Sequence, residues 1–129
     1  MNQGFVVLLS IIILGALILA VSIGVSLRVL TQAQIGFQTQ AAYEASTLAE
    51  FCAELALFKL ESILGYGGNE IIMNNGQSCE ILTIEGTGNL NRTVKTQSTV
   101  SSYTRKIKVQ VARISPLMEI TSFQEVPNF

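Results

Sequence analysis

The chain has no histidine, no tryptophan and no aspartate, and its nine acidic residues are all glutamate. General acid–base catalysis and metal sites draw chiefly on His, Asp and clustered Cys. An enzyme built from this inventory would have to work with Glu, Lys, Ser and Tyr, and no nucleophile and base pair is recognisable. We therefore expect no catalytic residue, no metal and no cofactor. Charge is scarce as well. Eight Lys and Arg against nine Glu leave a net charge of -1 and a pI near 5.3, with no polybasic segment to make nucleic acid the main partner. Arg105, Lys106 and Lys108 form a short basic run that reads as the solvated face of a strand. The glycines are too scattered for a phosphate loop. Both prolines, Pro116 and Pro127, fall near the C-terminus, so nothing in the first half of the chain forbids a long helix.

What the sequence does hold is a long apolar run. "MNQGFVVLLSIIILGALILAVSIGVSLRVL" contains no charged side chain from Phe5 to Leu27, and about 20 apolar residues span a bilayer as a helix. The mean hydropathy of +0.46 comes largely from this segment. A secretory signal peptide usually has a shorter apolar region, about 7 to 15 residues, with a basic start and a small-x-small cleavage site. None of these is clear here. Arg28 alone would favour the cytoplasmic side for that end of the run. Ala16, Ala20 and Gly24 recur at four-residue steps, with Ser22 and Ser26 spaced likewise, and such small residues let apolar helices approach closely. A generic anchor that touches only lipid is the other reading of the same residues.

The helical pattern continues past Leu27 through a stretch rich in Ala, Leu, Glu and Gln. It stops at Gly65, Gly67 and Gly68, with Gly36 as one weak point. A continuous helix from Phe5 to about Leu64 is roughly 90 Å long. That exceeds any domain of about a hundred residues, so half of it must lie in a membrane or among other chains. In the second half, Ala53, Ala56, Leu57, Leu60, Ile63 and Leu64 form one apolar stripe, expected to meet the protein's own sheet. Phe51, Leu55 and Phe58 form a second stripe, with Glu50, Glu54 and Glu61 between the two. A second stripe calls for a second partner, or for loops of the same domain to cover it.

After the glycines the apolar period changes to two. "EIIMNNGQSCEILTIEG" reads as two strands joined by a turn at Asn74, Asn75 and Gly76. "RTVKTQSTV" and "YTRKIKVQVARI" follow as a third and fourth strand, with Ile107, Val109 and Val111 alternating against Lys106, Lys108 and Gln110. Asn91-Arg92-Thr93 has the form of a glycosylation sequon and is read as turn chemistry. The expected fold is α+β: a long N-terminal helix packed on a C-terminal antiparallel sheet of about four strands, with the tail "SPLMEITSFQEVPNF" as a candidate fifth edge segment. The organisation is residues 5–27 as a transmembrane half-helix, 28–64 as its amphipathic continuation and 65–129 as the sheet domain.

Cys52 lies beside the sheet-facing stripe and Cys79 opens the second strand, so a bond between them would staple helix to sheet. Closing that loop is worth about 3 kcal/mol in the chain-entropy model. Two buried free thiols are the alternative. We expect the disulfide, which puts the sheet domain outside the cytoplasm and the N-terminus inside, against the hint from Arg28.

"GFVVLLSIIILGALILAVSIG" resembles the N-terminus of type IV pilin-like proteins, in which a short polar leader ends in Gly, cleavage precedes Phe, and the following helix anchors the subunit and later forms a filament core. The resemblance makes residues 1–4 a leader, Gly4 its last residue and Phe5 the first mature residue, usually N-methylated. Pilins are also similar in joining one long helix to an antiparallel sheet, often with a disulfide. It implies prepilin peptidase, other pilin subunits and the inner-membrane pilus assembly machinery as partners. The localisation it implies is the inner membrane first and the extracellular filament afterwards. Assembly contacts would come from Phe5, Leu9, Gly15, Gly24, Phe51, Leu55 and Phe58. Three departures stand out. Leu9 occupies the position where the family's major pilins carry a Glu, which moves the reading toward a minor, initiating or tip subunit. The usual basic leader residues are missing from Met1 to Gln3. No proline kinks the helix, leaving Gly15 and Gly24 as points of local unwinding. The rival readings are a bitopic, signal-anchored envelope protein that never polymerises, and a secreted enzyme or inhibitor released by signal peptidase.

Overall fold

The structure, a computed structural model, describes residues 3–129. One helix, α1 (Gln3–Ser62), precedes five strands: β1 (Glu70–Asn74), β2 (Gln77–Ile81), β3 (Leu90–Val100), β4 (Tyr103–Arg113) and β5 (Glu119–Glu125). The chain divides into two compact units, Met1–Gln38 and Thr39–Phe129. The helix runs unbroken through Gly15, Gly24 and Gly36, so the local unwinding expected at the first two is not found. A single helical glycine costs about 1 kcal/mol relative to alanine, too little to break a helix supported by long runs on either side.

The helix ends at Ser62, two residues before the expected stop. Ile63 N–H still bonds the Lys59 carbonyl at 2.8 Å, and Tyr66 N–H closes a turn on the Ile63 carbonyl at 2.9 Å. Lys59 in the last turn suits the negative end of the helix. Gly68, with φ of 76°, follows, and a Cβ there would collide with the Leu82 carbonyl. This early stop changes the apolar stripe. Ala53, Ala56, Leu57 and Leu60 are buried as expected, but Ile63 and Leu64 lie past the helix and are exposed. The stripe instead extends toward the N-terminus through Ala45, Leu48, Ala49 and Cys52.

The sheet is antiparallel throughout, in the order β1-β2-β3-β4-β5. Asn75 and Gly76, with φ of 49° and 81°, make the two-residue β1–β2 turn, where positive φ at both positions matches the strand twist. Five strands form where about four were expected. The C-terminal tail supplies the fifth, pairing with β4 as an edge strand whose register slips around Val111. Period-two alternation governs β3 and β4, placing Val94, Thr96, Ser98 and Val100 with Ile107, Val109 and Val111 on the buried face.

Small residues set the distance between helix and sheet. Ala45, Ala49, Ala53 and Ala56 are fully buried, and they let the helix backbone come close enough for β3 hydroxyls to reach it. Thr96 Oγ1 donates to the Ala49 carbonyl at 2.9 Å, and Ser98 Oγ donates to the Ala45 carbonyl. Two polar side chains in the core are thereby satisfied without a polar partner side chain. The Cys52–Cys79 disulfide joins the same two layers, with a Cα–Cα distance of 6.2 Å.

At the helix end, Lys59 pairs with Glu70, and the Tyr66 hydroxyl donates to Glu70 at 2.9 Å. The hydrogen bond from Lys59, then that from Tyr66, holds the Glu70 carboxyl below its ordinary 4.5. The hydrogen bond from Lys95 does the same for Glu85. Burial, reinforced by the Glu70 carboxylate, pushes the Tyr66 phenol up to about 12. Because both carboxyls are lowered on folding, their contribution is complete above about pH 4.5 and is lost as the pH falls below it. The thermal midpoint of a Glu70→Gln, Glu85→Gln chain is expected to fall less steeply than wild type across that acid range. An equal slope would show that neither pair contributes.

Candidate functional site

In the first unit, every described side chain from residue 3 to Gln38 is exposed. Phe5 is 63% exposed and Leu30 68%, and the apolar residues between them stand out all round the helix. A helix apolar on all sides is stable only within lipid or among like helices. The hydroxyls fit such surroundings because each is satisfied within the helix. Ser10, Ser22, Ser26 and Thr31 donate to the carbonyls of Val6, Ile18, Ser22 and Leu27 at 2.8, 2.8, 2.9 and 3.0 Å. No hydroxyl among them needs water, which removes the main cost of placing Ser and Thr in hydrocarbon. The helix is therefore a candidate membrane anchor or signal.

In the second unit, the helix buries one side against the sheet and leaves a ridge on the other. Tyr43, Phe51 and Phe58 are 72%, 42% and 65% exposed, with Leu55 half-buried beside them. Glu50, Glu54 and Glu61 are exposed along the same side. Between this ridge and the β1–β2 hairpin lies a groove of about 310 Å³, walled by Tyr43, Leu48 and Phe51 on the helix and by Asn74 and Gln77 opposite. Gln77 Nε2 donates to Glu44 at 3.2 Å and Gln40 Nε2 at 2.9 Å, fixing that carboxylate at the mouth of the groove. Among the described residues no loop covers Phe51 and Phe58, so the covering expected as an alternative from sequence is not found.

The positions singled out from sequence fall into three groups. Gly4, Phe5, Leu9, Gly15 and Gly24 lie on the exposed first unit, and nothing approaches within 4 Å of a Cβ built at any of these glycines. Phe51, Leu55 and Phe58 lie on the ridge of the second unit. Cys52 and Cys79 are joined and buried. Met1 and Asn2, half of the leader expected at residues 1–4, lie outside the described residues. Tyr43 and Thr47 belong to the ridge but were not singled out, although their four-residue spacing from Phe51 was the signal that places them there.

Arg92 departs from the turn role expected of it. Its neighbour Asn91 takes the turn, with φ of 51°, while the Arg92 side chain is only 4% exposed. Its guanidinium donates to the carbonyls of Leu64 at 2.9 Å, Gly88 at 3.1 Å, Glu85 at 3.2 Å and Tyr66 at 3.3 Å. Two loops are thus tied together by one side chain. Gly86, at φ of 85°, completes the site, since a Cβ there would strike the Asn91 carbonyl. The basic run also divides. Arg105 pairs with Glu125 at 2.7 Å, and Ser46 on the helix donates to the same carboxylate at 3.2 Å. Lys95 and Lys106 lie over the Phe129 ring at 5.7 and 5.3 Å from its centre.

No protein-family model, no curated protein and no solved structure matches this chain.

Proposed function

We propose that the chain is a structural subunit, pilin or minor pilin, of a type IV pilus or a related filament. The observation that carries this reading is the apolar helix itself. It exposes apolar side chains on every side from Phe5 to Leu30, holds its hydroxyls on its own carbonyls, and continues as the helix that packs on the sheet. In a free subunit these side chains lie in the inner membrane. In the filament the same side chains meet those of neighbouring copies.

Lipid tails are as apolar as leucine, so this exchange gains little from the hydrophobic effect. It depends on close packing, which Gly15 and Gly24 permit because no side chain stands at either position. Leu9 places no carboxylate in lipid, so the free subunit carries no buried charge there, and it lacks one means of pairing with a neighbour's terminal amine. The head-to-tail array does not close, and a repeated non-closing contact builds a helical filament. The Cys52–Cys79 bond fits a sheet domain that faces an oxidising compartment, with the N-terminus left in the cytoplasm.

Leader removal is proposed between Gly4 and Phe5. Replacing Gly4 by leucine is expected to leave residues 1–4 on the chain and to abolish its incorporation into filaments, read by immunoblotting of the sheared surface fraction. The folded sheet domain is untouched by this change, so membrane levels should remain at wild type. Normal incorporation of the Gly4→Leu chain would contradict the processing step.

A further inference from the structure

Charge in this protein is unevenly satisfied. Before Glu44 the only charged side chain among the described residues is Arg28, and its guanidinium has no partner among those residues. With Val21, Gly24 and Val25 it borders an open notch of about 290 Å³, on the side where Gly24 has no side chain. On the second unit, Glu50, Glu54 and Glu61 are exposed and have no cation among the described residues. The other cations of that unit are occupied or lie elsewhere. Lys59, Lys95, Arg105 and Arg113 hold Glu70, Glu85, Glu125 and Glu119. Arg92 is buried on carbonyls, Lys106 contacts Asn128, and Lys108 stands on the sheet face away from the helix.

The missing partners are therefore of opposite sign, and both belong to α1. Glu54 is the best placed of the three carboxylates, because Phe51 and Phe58, three residues before and four after, flank it on the ridge. An arginine suits this setting. Its planar guanidinium can stack on aromatic rings while bonding a carboxylate in the same plane. A cation withdrawn from water or lipid headgroups without a counter-charge is strongly unfavourable, so an assembly that buries the apolar helix must supply one.

We propose that the Phe51–Phe58 ridge is the docking surface for a second copy of this chain, whose Arg28 pairs with Glu54. Notch and ridge are different surfaces, so each copy offers one and receives on the other, and the contact propagates without closing. The pairing rests on the filament reading above and names the contact that sets the register between copies.

Two measurements test it. In a head-to-tail array all copies point the same way, so the residues one turn before Arg28 and Glu54, namely Val25 and Glu50, lie close together. Filaments from cells expressing both a Val25→Cys chain and a Glu50→Cys chain are expected to yield an oxidatively cross-linked dimer that neither variant yields alone. Separately, Arg28→Glu and Glu54→Arg should each lower the sheared filament fraction by about tenfold, which corresponds to about 1.4 kcal/mol, while the double reversal restores it. Filaments that form without the mixed cross-link overturn the pairing and leave the filament reading standing. So does loss in both single reversals without recovery in the double, when all three variants reach the membrane at wild-type levels. A wild-type chain that never enters filaments overturns both. The cross-link decides the matter if a charge-reversed chain fails to insert.

Discussion

A chain carrying Cys52→Ala and Cys79→Ala is expected to lose about 3 to 4 kcal/mol of unfolding free energy. The bond closes a loop of sequence separation 27 between helix and sheet, and the loop-entropy relation gives that magnitude. The Cα–Cα distance of 6.2 Å lies within the usual span for a disulfide, so the two layers are already placed for it. Both residues are buried, at 0% and 1% exposure, and are surrounded by the alanines of the helix and by Ile81. Alanine fits that space but leaves the room of two sulfurs unfilled, which adds a cavity cost to the entropic one. Small domains have about 5 to 15 kcal/mol in total, so the loss is a large share. Denaturant unfolding of the full chain in detergent, with and without reductant, measures it. Reductant should lower the wild-type midpoint and leave that of the double-alanine chain unchanged. A wild-type midpoint insensitive to reductant would contradict the stapling role.

Arg92→Met should cost about 2 to 4 kcal/mol and loosen the two loops that the guanidinium joins. Methionine matches the aliphatic stem but donates nothing, so the carbonyls of Leu64, Tyr66 and Gly88 lose the donor they share. The Glu85 carbonyl keeps its bond from Thr93 N–H at 3.1 Å and suffers least. Hydrogen bonds from charged donors contribute about 1.5 to 3 kcal/mol, partly offset here because the buried cation is also removed. Lysine should rescue only a fraction, since one ammonium cannot reach acceptors arranged around a planar fork. The distinguishing readout is local. Amide exchange should accelerate at Tyr66 and Ile84, whose N–H groups bond the Ile63 and Gly67 carbonyls beside the clamp, more than at Val109 in the sheet centre. Uniform acceleration would mean that Arg92 contributes only global stability.

Periodicity made the layers of this protein legible. The run without charge from Phe5 to Leu27, the Asn75–Gly76 turn and the alternation from Ile107 to Val111 each follow from one local rule, and each element stands where that rule puts it. What was hidden depended on contacts between distant segments. Past the helix end, the Leu64 and Gly67 carbonyls are held by Arg92 and by Ile84 N–H, far along the chain. Arg92 looked like turn chemistry because its neighbours Asn91 and Thr93 are turn and strand residues, and nothing local reports that its side chain is buried. β5 was the weakest signal, since its face toward the core carries Ile120 and Phe123 at an exposed edge and lacks clean alternation. The ridge was half legible. Phe51, Leu55 and Phe58 were visible as a stripe, whereas its continuation to Tyr43 became clear once the opposite face was seen to be buried.

The proposed function requires this chain to be processed and assembled through its apolar helix. The N-terminus and intact mass of the protein, taken both from membranes and from sheared surface material, test it most directly. The expected result is a chain that begins at N-methylated Phe5 and is present in the sheared fraction. A chain that begins at Met1 and occurs only in membranes would contradict it, and would leave a signal-anchored envelope protein in its place.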